Sequence, residues 1–154
     1  MTENRPFTSL IAESISKLTT GKVKFVEQQN NWTIKVKGSW DKKWLLIAVE
    51  SRKIDLKSHF SPCKLKQAPL LSFLTRSSAF NFYGEKSKYS ELLLESPETK
   101  HLMSSKKSCI KLDNNTLIFG GMIRKKDTKS LSNIFTLIED LQGKIDNLQR
   151  KTSA

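Results

Sequence analysis

The sequence is poor in the residues that form metal sites and many catalytic sites. Two cysteines and two histidines occur among 154 residues, and none of them lies in a CxxC, HxxxH or HExxH spacing. The longest apolar run, Trp44–Val49, has six residues, whereas a membrane-spanning helix needs roughly 20. The N-terminus also lacks the charged-then-apolar pattern of a secretory signal. We therefore expect a soluble cytoplasmic protein with reduced thiols and with no membrane span, metal or cofactor.

Catalysis is not indicated by the remaining motifs. Neither GxxxxGK[ST] nor GxGxxG occurs, and acidic residues such as Asp41 fall in turns or helix caps, where they are expected for backbone reasons. Cys63 and Cys109 are interpreted as small apolar side chains in or near the core. A dyad of a cysteine with His59 or His101 stays open, because catalytic partners can be distant in sequence. The sequence predicts that the protein is not an enzyme.

Acidic residues are also scarce, and the resulting positive charge is unevenly distributed. The chain has 27 Lys and Arg residues against 15 Asp and Glu residues, a formal net charge of +12. Residues 1–21 and 131–154 are each neutral, so the whole surplus lies in residues 22–130. Five of the 27 basic residues are arginine, and no zinc-finger, helix-turn-helix or RNP-like motif occurs. This distribution indicates neutral terminal helices around a basic, strand-rich body.

Alternation of apolar and basic residues predicts a β-hairpin near the N-terminus. Val23 and Phe25 alternate with lysines before the turn-prone segment Gln28–Asn31, and residues 32–37 alternate in the same way after it. The next segment, Trp44–Val49, is apolar at every position. An uninterrupted apolar strand favours a central position in the sheet with cover on both faces.

The hairpin places lysines together on the face opposite its apolar side chains: Lys22, Lys24, Lys35 and Lys37. A turn centred on Gln29-Asn30 sets Lys24 against Lys35, and a turn at Asn30-Asn31 sets Lys24 against Lys37. Like charges on neighbouring strands destabilise the pair by roughly a few tenths of a kcal/mol, so a phosphate-bearing partner could compensate them. Trp40 at the following turn would add stacking. The alternative is a solvated lysine face that protects a sheet edge.

A second candidate anion site precedes the C-terminal helix. Lys125 and Lys126 stand just before a helix start at Asp127 or Thr128, where free backbone N–H groups attract phosphate. Basic runs are also common on solvated loops, so a plain surface role stays open.

Apolar periodicity predicts the other elements. An N-terminal helix over Thr8–Leu18 ends at Gly21, which we interpret as its C-terminal cap. Residues 22–60 are interpreted as an antiparallel meander whose fourth strand runs from residue 54 to 60, and the pattern is least informative over residues 61–79. The rest of the chain predicts, in order, a strand over Phe80–Gly84, a helix over Tyr89–Glu95, a helix starting at Ser96-Pro97-Glu98 and a hairpin of Cys109–Leu112 with Leu117–Phe119.

A long amphipathic helix closes the chain. Its apolar positions keep the 4-3-4-3 spacing of a coiled-coil seam: Ile134, Ile138, Leu141, Ile145 and Leu148. The seam spans little more than two heptads, so packing across the sheet is favoured. Phe135 and Leu137 widen the apolar surface, part of which could meet a second copy of the chain. A pocket for a small ligand or lipid, lined by Trp32, Trp44 and Phe135 between sheet and helix, is a further hypothesis.

Several of these features recur together in known proteins. They are the Gly38-Ser39-Trp40-Asp41-Lys42-Lys43 turn, the aromatic strand Phe80–Gly84, Leu92-Leu93, the Ser96-Pro97-Glu98 helix start, and a final hairpin followed by a long helix. Their order resembles uncharacterised bacterial families, domains of unknown function, over roughly residues 8–150. The resemblance implies one α+β domain and brings no activity or site residues.

The sequence thus predicts a single α+β domain over residues 1–154, with an ordered core of residues 7–150 and frayed ends at 1–5 and 151–154. A mainly antiparallel sheet is expected from two hairpin or meander blocks, with the N-terminal helix and the long C-terminal helix packed on one face. The first functional hypothesis is a non-catalytic interaction module that binds an unknown protein partner or a second copy. Nucleic-acid or other polyanion binding by the lysine face, and the apolar pocket, are the alternatives.

Overall fold

A computed structural model describes residues 5–54, 59–67, 80–95, 99 and 106–153. Within them the chain forms three helices and seven strands, in the order α1 Arg5–Lys17, β1 Gly21–Gln29, β2 Trp32–Trp40, β3 Trp44–Lys53, β4 Phe60–Gln67, β5 Phe80–Gly84, α2 Lys88–Glu95, β6 Lys106–Asn114, β7 Thr116–Arg124 and α3 Thr128–Ser153. The predicted helix start at Ser96-Pro97-Glu98, residues 55–58 of the predicted fourth strand, and residues 68–79 lie outside the described residues.

All seven strands form one antiparallel sheet in the order β1-β2-β3-β7-β6-β4-β5. The helices cover one of its faces, and a single hydrophobic core lies between the two layers. Phe7 of α1 stacks on Phe135 of α3 with ring centroids 5.4 Å apart, and the inward residues of the strands, such as Ile34 and Val49, join them. The predicted α+β class, with both terminal helices on one face, is confirmed.

The opposite face of the sheet is open, because no described helix packs on it. β3 shows this most clearly, since Leu45 and Ile47 are fully buried while Leu46 between them is 47% exposed and Ala48 is also exposed. The prediction that Trp44–Val49 is covered on both sides is therefore wrong. Its apolar run combines core residues with residues of an uncovered face, an arrangement that antiparallel sheets permit.

Both predicted hairpins form, and their registers can be read directly. β1 and β2 turn at Asn30-Asn31, with Asn30 at φ 56°, and Lys24 lies opposite Lys37. The second of the two predicted turn positions is thus the correct one. In the β6–β7 hairpin Leu112 lies opposite Leu117, as predicted.

The predicted four-strand meander is wrong in its last strand. β7 occupies the place beside β3, and β4 pairs instead with β6 and β5. Described residues on both sides of the connection from β3 to β4 contact the turn of the β6–β7 hairpin. Lys53 N donates to the Asn115 carbonyl at 2.8 Å, and the His59 ring nitrogen Nδ1 hydrogen-bonds to Asn114 Oδ1. These contacts between distant segments have no local sequence signal.

The coiled-coil spacing of α3 serves the core of the same chain. Ile134, Ile138, Leu141 and Ile145 are buried. Phe135 and Leu137 are 3% and 1% exposed, so neither offers apolar surface to a second copy. The stripe therefore packs across the sheet, as favoured by its short length.

A polar cluster ties α3 to the end of β3. Lys53 occupies an inward position and is buried, and its Nζ lies 2.8 Å from Asp146 Oδ1. Trp32 Nε1 donates to the other oxygen of Asp146 at 3.2 Å, Lys53 Nζ also donates to Gln149 Oε1, and the same ammonium lies 5.8 Å from the centre of the Trp32 ring. These bonds satisfy a charge that would otherwise be costly to bury.

Candidate polyanion-binding face

The open face consists of the outward side chains of the seven strands. Alternation along each strand sends apolar residues to the core and the residues between them outward. The basic residues that reach the open face in this way are Lys22, Lys24, Lys35, Lys37, Arg52, Lys64, Lys66, Lys111 and Arg124. Among the described strand residues, the carboxylates that share the face are Glu50 and Asp113. The face is therefore strongly positive.

The first lysine cluster comprises Lys22, Lys24 and Lys37. All three side chains are exposed, and Lys24 lies directly opposite Lys37. No described carboxylate forms an ion pair with any of the three. Lys35, which the sequence grouped with them, differs because its Nζ lies 3.9 Å from Glu50 Oε2.

The second lysine cluster comprises Lys64, Lys66 and Lys111, on strands β4 and β6. Lys64 lies opposite Lys111, and its Nζ is 5.3 Å from the centre of the Tyr83 ring. Lys111 Nζ is 3.6 Å from Asp113. This cluster was not predicted, although residues 63–66 alternate between apolar residues and lysine just as the first hairpin does.

Two adjoining grooves cross the open face beside the first cluster. The lysine groove, with a volume of about 590 Å³, is lined by the lysines of the first cluster and by Leu46 and Ala48. The tryptophan groove, about 490 Å³, is lined by Lys22, Trp44, Leu46 and Met122 among others. Both are open grooves and not enclosed cavities.

An arginine–tryptophan pair stands beside the tryptophan groove. The register sets Arg124 opposite Trp44, and the guanidinium carbon lies 4.5 Å from the centre of the Trp44 ring. Such a cation–π contact holds both planar groups in place. Neither residue was predicted to be part of the lysine face, because the facing of β3 and β7 depends on how they pair.

Trp40 lies on the opposite side of the sheet from the lysines, although it also contributes to the lining of the tryptophan groove. It is buried on the helix side of the sheet at 6% exposure, and its Nε1 donates to the Leu18 carbonyl at 3.0 Å. A Cβ on Gly21 would lie 2.6 Å from Trp40 Cζ2. Gly21 thus makes room for this ring at the start of β1, and its predicted role as a left-handed helix cap is wrong because its φ is not positive.

The two lysines of the anion site expected before α3 differ in their contacts. Lys125 Nζ donates to the carbonyls of Leu18 and Thr19, at 3.3 and 3.1 Å, and so caps the end of α1, while Lys126 is exposed. The start of α3 is occupied by its own carboxylate. Asp127 Oδ1 accepts a hydrogen bond from the backbone N–H of Ser130 at 3.0 Å, as an N-cap residue does.

The three residues of the predicted apolar pocket are not brought together. Trp32 and Phe135 are buried in the core, whereas Trp44 lies on the open face. The space beside Phe135 and Ile138 has a volume of about 10 Å³, which holds about one water molecule at most. This part of the core is packed too closely for a ligand.

The two cysteines are free and face opposite sides of the sheet. Burial raises the pKa of the Cys63 thiol to about 11, so at neutral pH it is protonated and a poor nucleophile. Within the described residues, no group of three or more His, Cys, Asp and Glu side chains could hold a metal ion. No helix among these residues has the length and apolar character required to cross a membrane.

Comparison with known proteins finds no matching family, no similar curated protein and no similar solved structure. The resemblance to uncharacterised bacterial families therefore stays a prediction.

Proposed function

We propose that the protein is a non-catalytic module that binds a linear polyanion across the open face of its sheet. The observation that carries this proposal is the convergence of lysines from both halves of the chain on one uncovered surface. Residues 22–37 supply the first cluster and residues 64–111 the second. A lysine surplus that served solubility alone would not need to converge on one face.

The electrostatic arrangement favours an anionic partner. Lys24 faces Lys37, and Lys64 faces Lys111, and each such like-charge pair weakens the sheet. A polyanion would relieve both repulsions and would release condensed counterions as it bound. The free protein accepts a small loss of stability that the complex would recover.

The distance between the clusters favours a polymer over a small anion. Lys37 on β2 and Lys66 on β4 lie in the same cross-strand row and are separated by four strand spacings, about 19 Å at roughly 4.8 Å each. One inorganic phosphate cannot reach both clusters. A linear chain of anionic groups can.

Self-association through the open face is disfavoured by the same charges. A two-fold dimer brings each surface patch against the same patch of its partner or close to it. Pairing this face with its copy would set lysine clusters against lysine clusters. A polyanion is therefore the favoured partner of this interaction module, and a second copy of the chain is less favoured.

The binding test uses fluorescence anisotropy with labelled polyphosphate and labelled oligonucleotides. Affinity is measured at several salt concentrations between about 50 and 200 mM, a range over which phosphate contacts weaken steeply. The variant Lys24→Gln/Lys37→Gln should bind more weakly, and the slope of log affinity against log salt should fall by about one for each lysine. The matched control, Lys129→Gln/Lys151→Gln, removes two exposed lysines of α3 and should change neither quantity.

Two results would contradict the proposal. One is the absence of binding to every polyanion at the lowest salt concentration. The other is an equal loss of affinity in the α3 control, which would mean that binding follows net charge and not the open face. Circular dichroism of both variants confirms that the fold is retained.

A further inference from the structure

We infer that the polyanion is a single-stranded nucleic acid, whose bases rest on the apolar floor of the two grooves while its phosphates meet the lysines. This inference rests on the proposed function and adds the class of ligand. The grooves are lined by both basic and apolar side chains. Leu46 is shared by both of them and is 47% exposed, directly beside the exposed amines of the first cluster.

The floor of the grooves is apolar where the surrounding charge is positive. Leu46 lies opposite Met122, and Ala48 lies opposite Gly120, so two neighbouring rows of the open face contain no charge at their centre. Polyphosphate has no group that could cover this surface. A single-stranded nucleic acid carries planar bases and phosphates on one chain, and it matches both parts.

The charges that line the grooves also favour one arrangement of the bases and phosphates of the bound strand. Asp41 lines the far end of the tryptophan groove, where its Oδ1 accepts hydrogen bonds from the backbone N–H groups of Lys43 and Trp44, each at 2.8 Å. These bonds keep the pKa of the Asp41 carboxyl below its ordinary value, so it stays ionised. The tryptophan groove thus has a carboxylate in its lining and the lysine groove has none, which favours phosphates in the lysine groove and a base beside Trp44.

Two aromatic rings offer stacking surfaces, each next to a basic group. The first is Trp44 with Arg124, and the second is Tyr83 with Lys64. Tyr83 is 48% exposed on β5, four strand spacings from β3, or about 19 Å. Successive unpaired bases stack on exposed rings and on guanidinium planes without sequence preference. In a duplex the faces of the bases are already stacked on one another.

A row of small residues joins the two ends of this surface. Ala48, Gly120 and Cys109 lie side by side on β3, β7 and β6, and no atom lies within 4 Å of the place where a Cβ on Gly120 would stand. The row continues into Lys66 of the second cluster. A single strand can therefore lie close to the sheet, with its bases over this row, as it crosses from the first cluster to the second.

The discriminating experiment compares three labelled ligands of matched charge: a thymidine oligonucleotide of about 12 nucleotides, a duplex and inorganic polyphosphate. The single strand should bind most tightly. Trp44→Ala should weaken it about 5- to 150-fold, the factor that corresponds to the loss of one stacked base, and should leave polyphosphate binding unchanged. The matched control is Val26→Ala, which removes an exposed apolar side chain of the same face outside both grooves.

A second variant keeps the test decisive if Trp44→Ala does not fold. Gly120→Val places a side chain over the row of small residues, where space is free and where a β-branched residue suits a strand. Its thermal midpoint should not fall, while its affinity for the single strand should. Affinities that are equal for all three ligands and unchanged in both variants would overturn the inference and leave the proposed function standing. Failure of all three ligands to bind at low salt would overturn both.

Discussion

Removal of the Asp146 carboxylate should destabilise the protein more than any other single change on the polar side of α3. Lys53 is buried on β3, and Asp146 Oδ1 lies 2.8 Å from its ammonium. The substitution Asp146→Asn keeps an oxygen that can accept the hydrogen bond from Trp32 Nε1, but it removes the negative charge. Lys53 is then left buried with a neutral partner, while Gln149 still accepts one of its hydrogen bonds.

The magnitude follows from the burial of the two partners. Breaking a buried ion pair from one side typically costs about 3–5 kcal/mol, and the side chain of Asp146 is 29% exposed, so we expect about 3 kcal/mol for Asp146→Asn. Lys53→Met should cost less, about 1–2 kcal/mol, because the carboxylate that it leaves behind still reaches water. The double variant should be more stable than the sum of the two losses predicts, by roughly 1–2 kcal/mol.

Chemical denaturation followed by far-ultraviolet circular dichroism measures all three free energies of unfolding. In thermal melts, Asp146→Asn should lower the midpoint by about 6–12 °C, since 1 kcal/mol corresponds to roughly 2–4 °C at this chain length. A loss below about 1 kcal/mol for Asp146→Asn, or strict additivity in the double variant, would refute the view that the pair holds α3 on the sheet.

Three further predictions concern the local geometry. Gly21→Ala should lower the free energy of unfolding by roughly 1–3 kcal/mol, because the new Cβ would lie 2.6 Å from Trp40 Cζ2; an unchanged thermal midpoint would contradict this packing. The pKa of Asp41 lies below its ordinary 3.8 in the folded protein. Its charged form therefore stabilises the turn above pH 3.8, and this stabilisation is lost as the pH falls through the folded pKa. The difference in free energy of unfolding between wild type and Asp41→Ala should shrink over that pH range, and a difference that widens would contradict the prediction. In the native protein a thiol reagent at neutral pH should modify the half-buried Cys109 and spare Cys63, whose pKa is about 11; rapid loss of both thiols would show that β4 opens readily.

Several elements were predictable because their signals are local. A period of two marks the strands from Val23 to Val36, and a period of 3.6 marks α3, since each reports which side of an element meets the core. Turn-prone asparagines between alternating runs indicated both hairpins and the pairing of Leu112 with Leu117, but they left the first turn open between Gln29-Asn30 and Asn30-Asn31. In each case the interacting residues lie within one hairpin.

The facing of the tryptophans was not predictable, because it depends on a short turn. Trp40 and Trp44 are four residues apart, yet the pairing of Trp40 with Leu45 sends Trp40 to the core and Trp44 outward. The backbone hydrogen bonds to Asp41 hold the turn that makes this switch. An apolar run such as Trp44–Val49 contains no local signal that shows which of its side chains are buried against the helices.

The candidate site, too, was predictable from the sequence only in part. Alternation of lysine with apolar residues was sufficient to determine that Lys24 and Lys37 share the outer side of a hairpin, since each strand must turn its apolar side chains to the core. Only strand pairing across the whole sheet decided that Lys64 and Lys111 join that same face, and that Trp44 and Arg124 stand beside it. These contacts bring together residues far apart in the chain, and their geometry depends on the order of the strands in the sheet. That order is determined by the packing of the entire core.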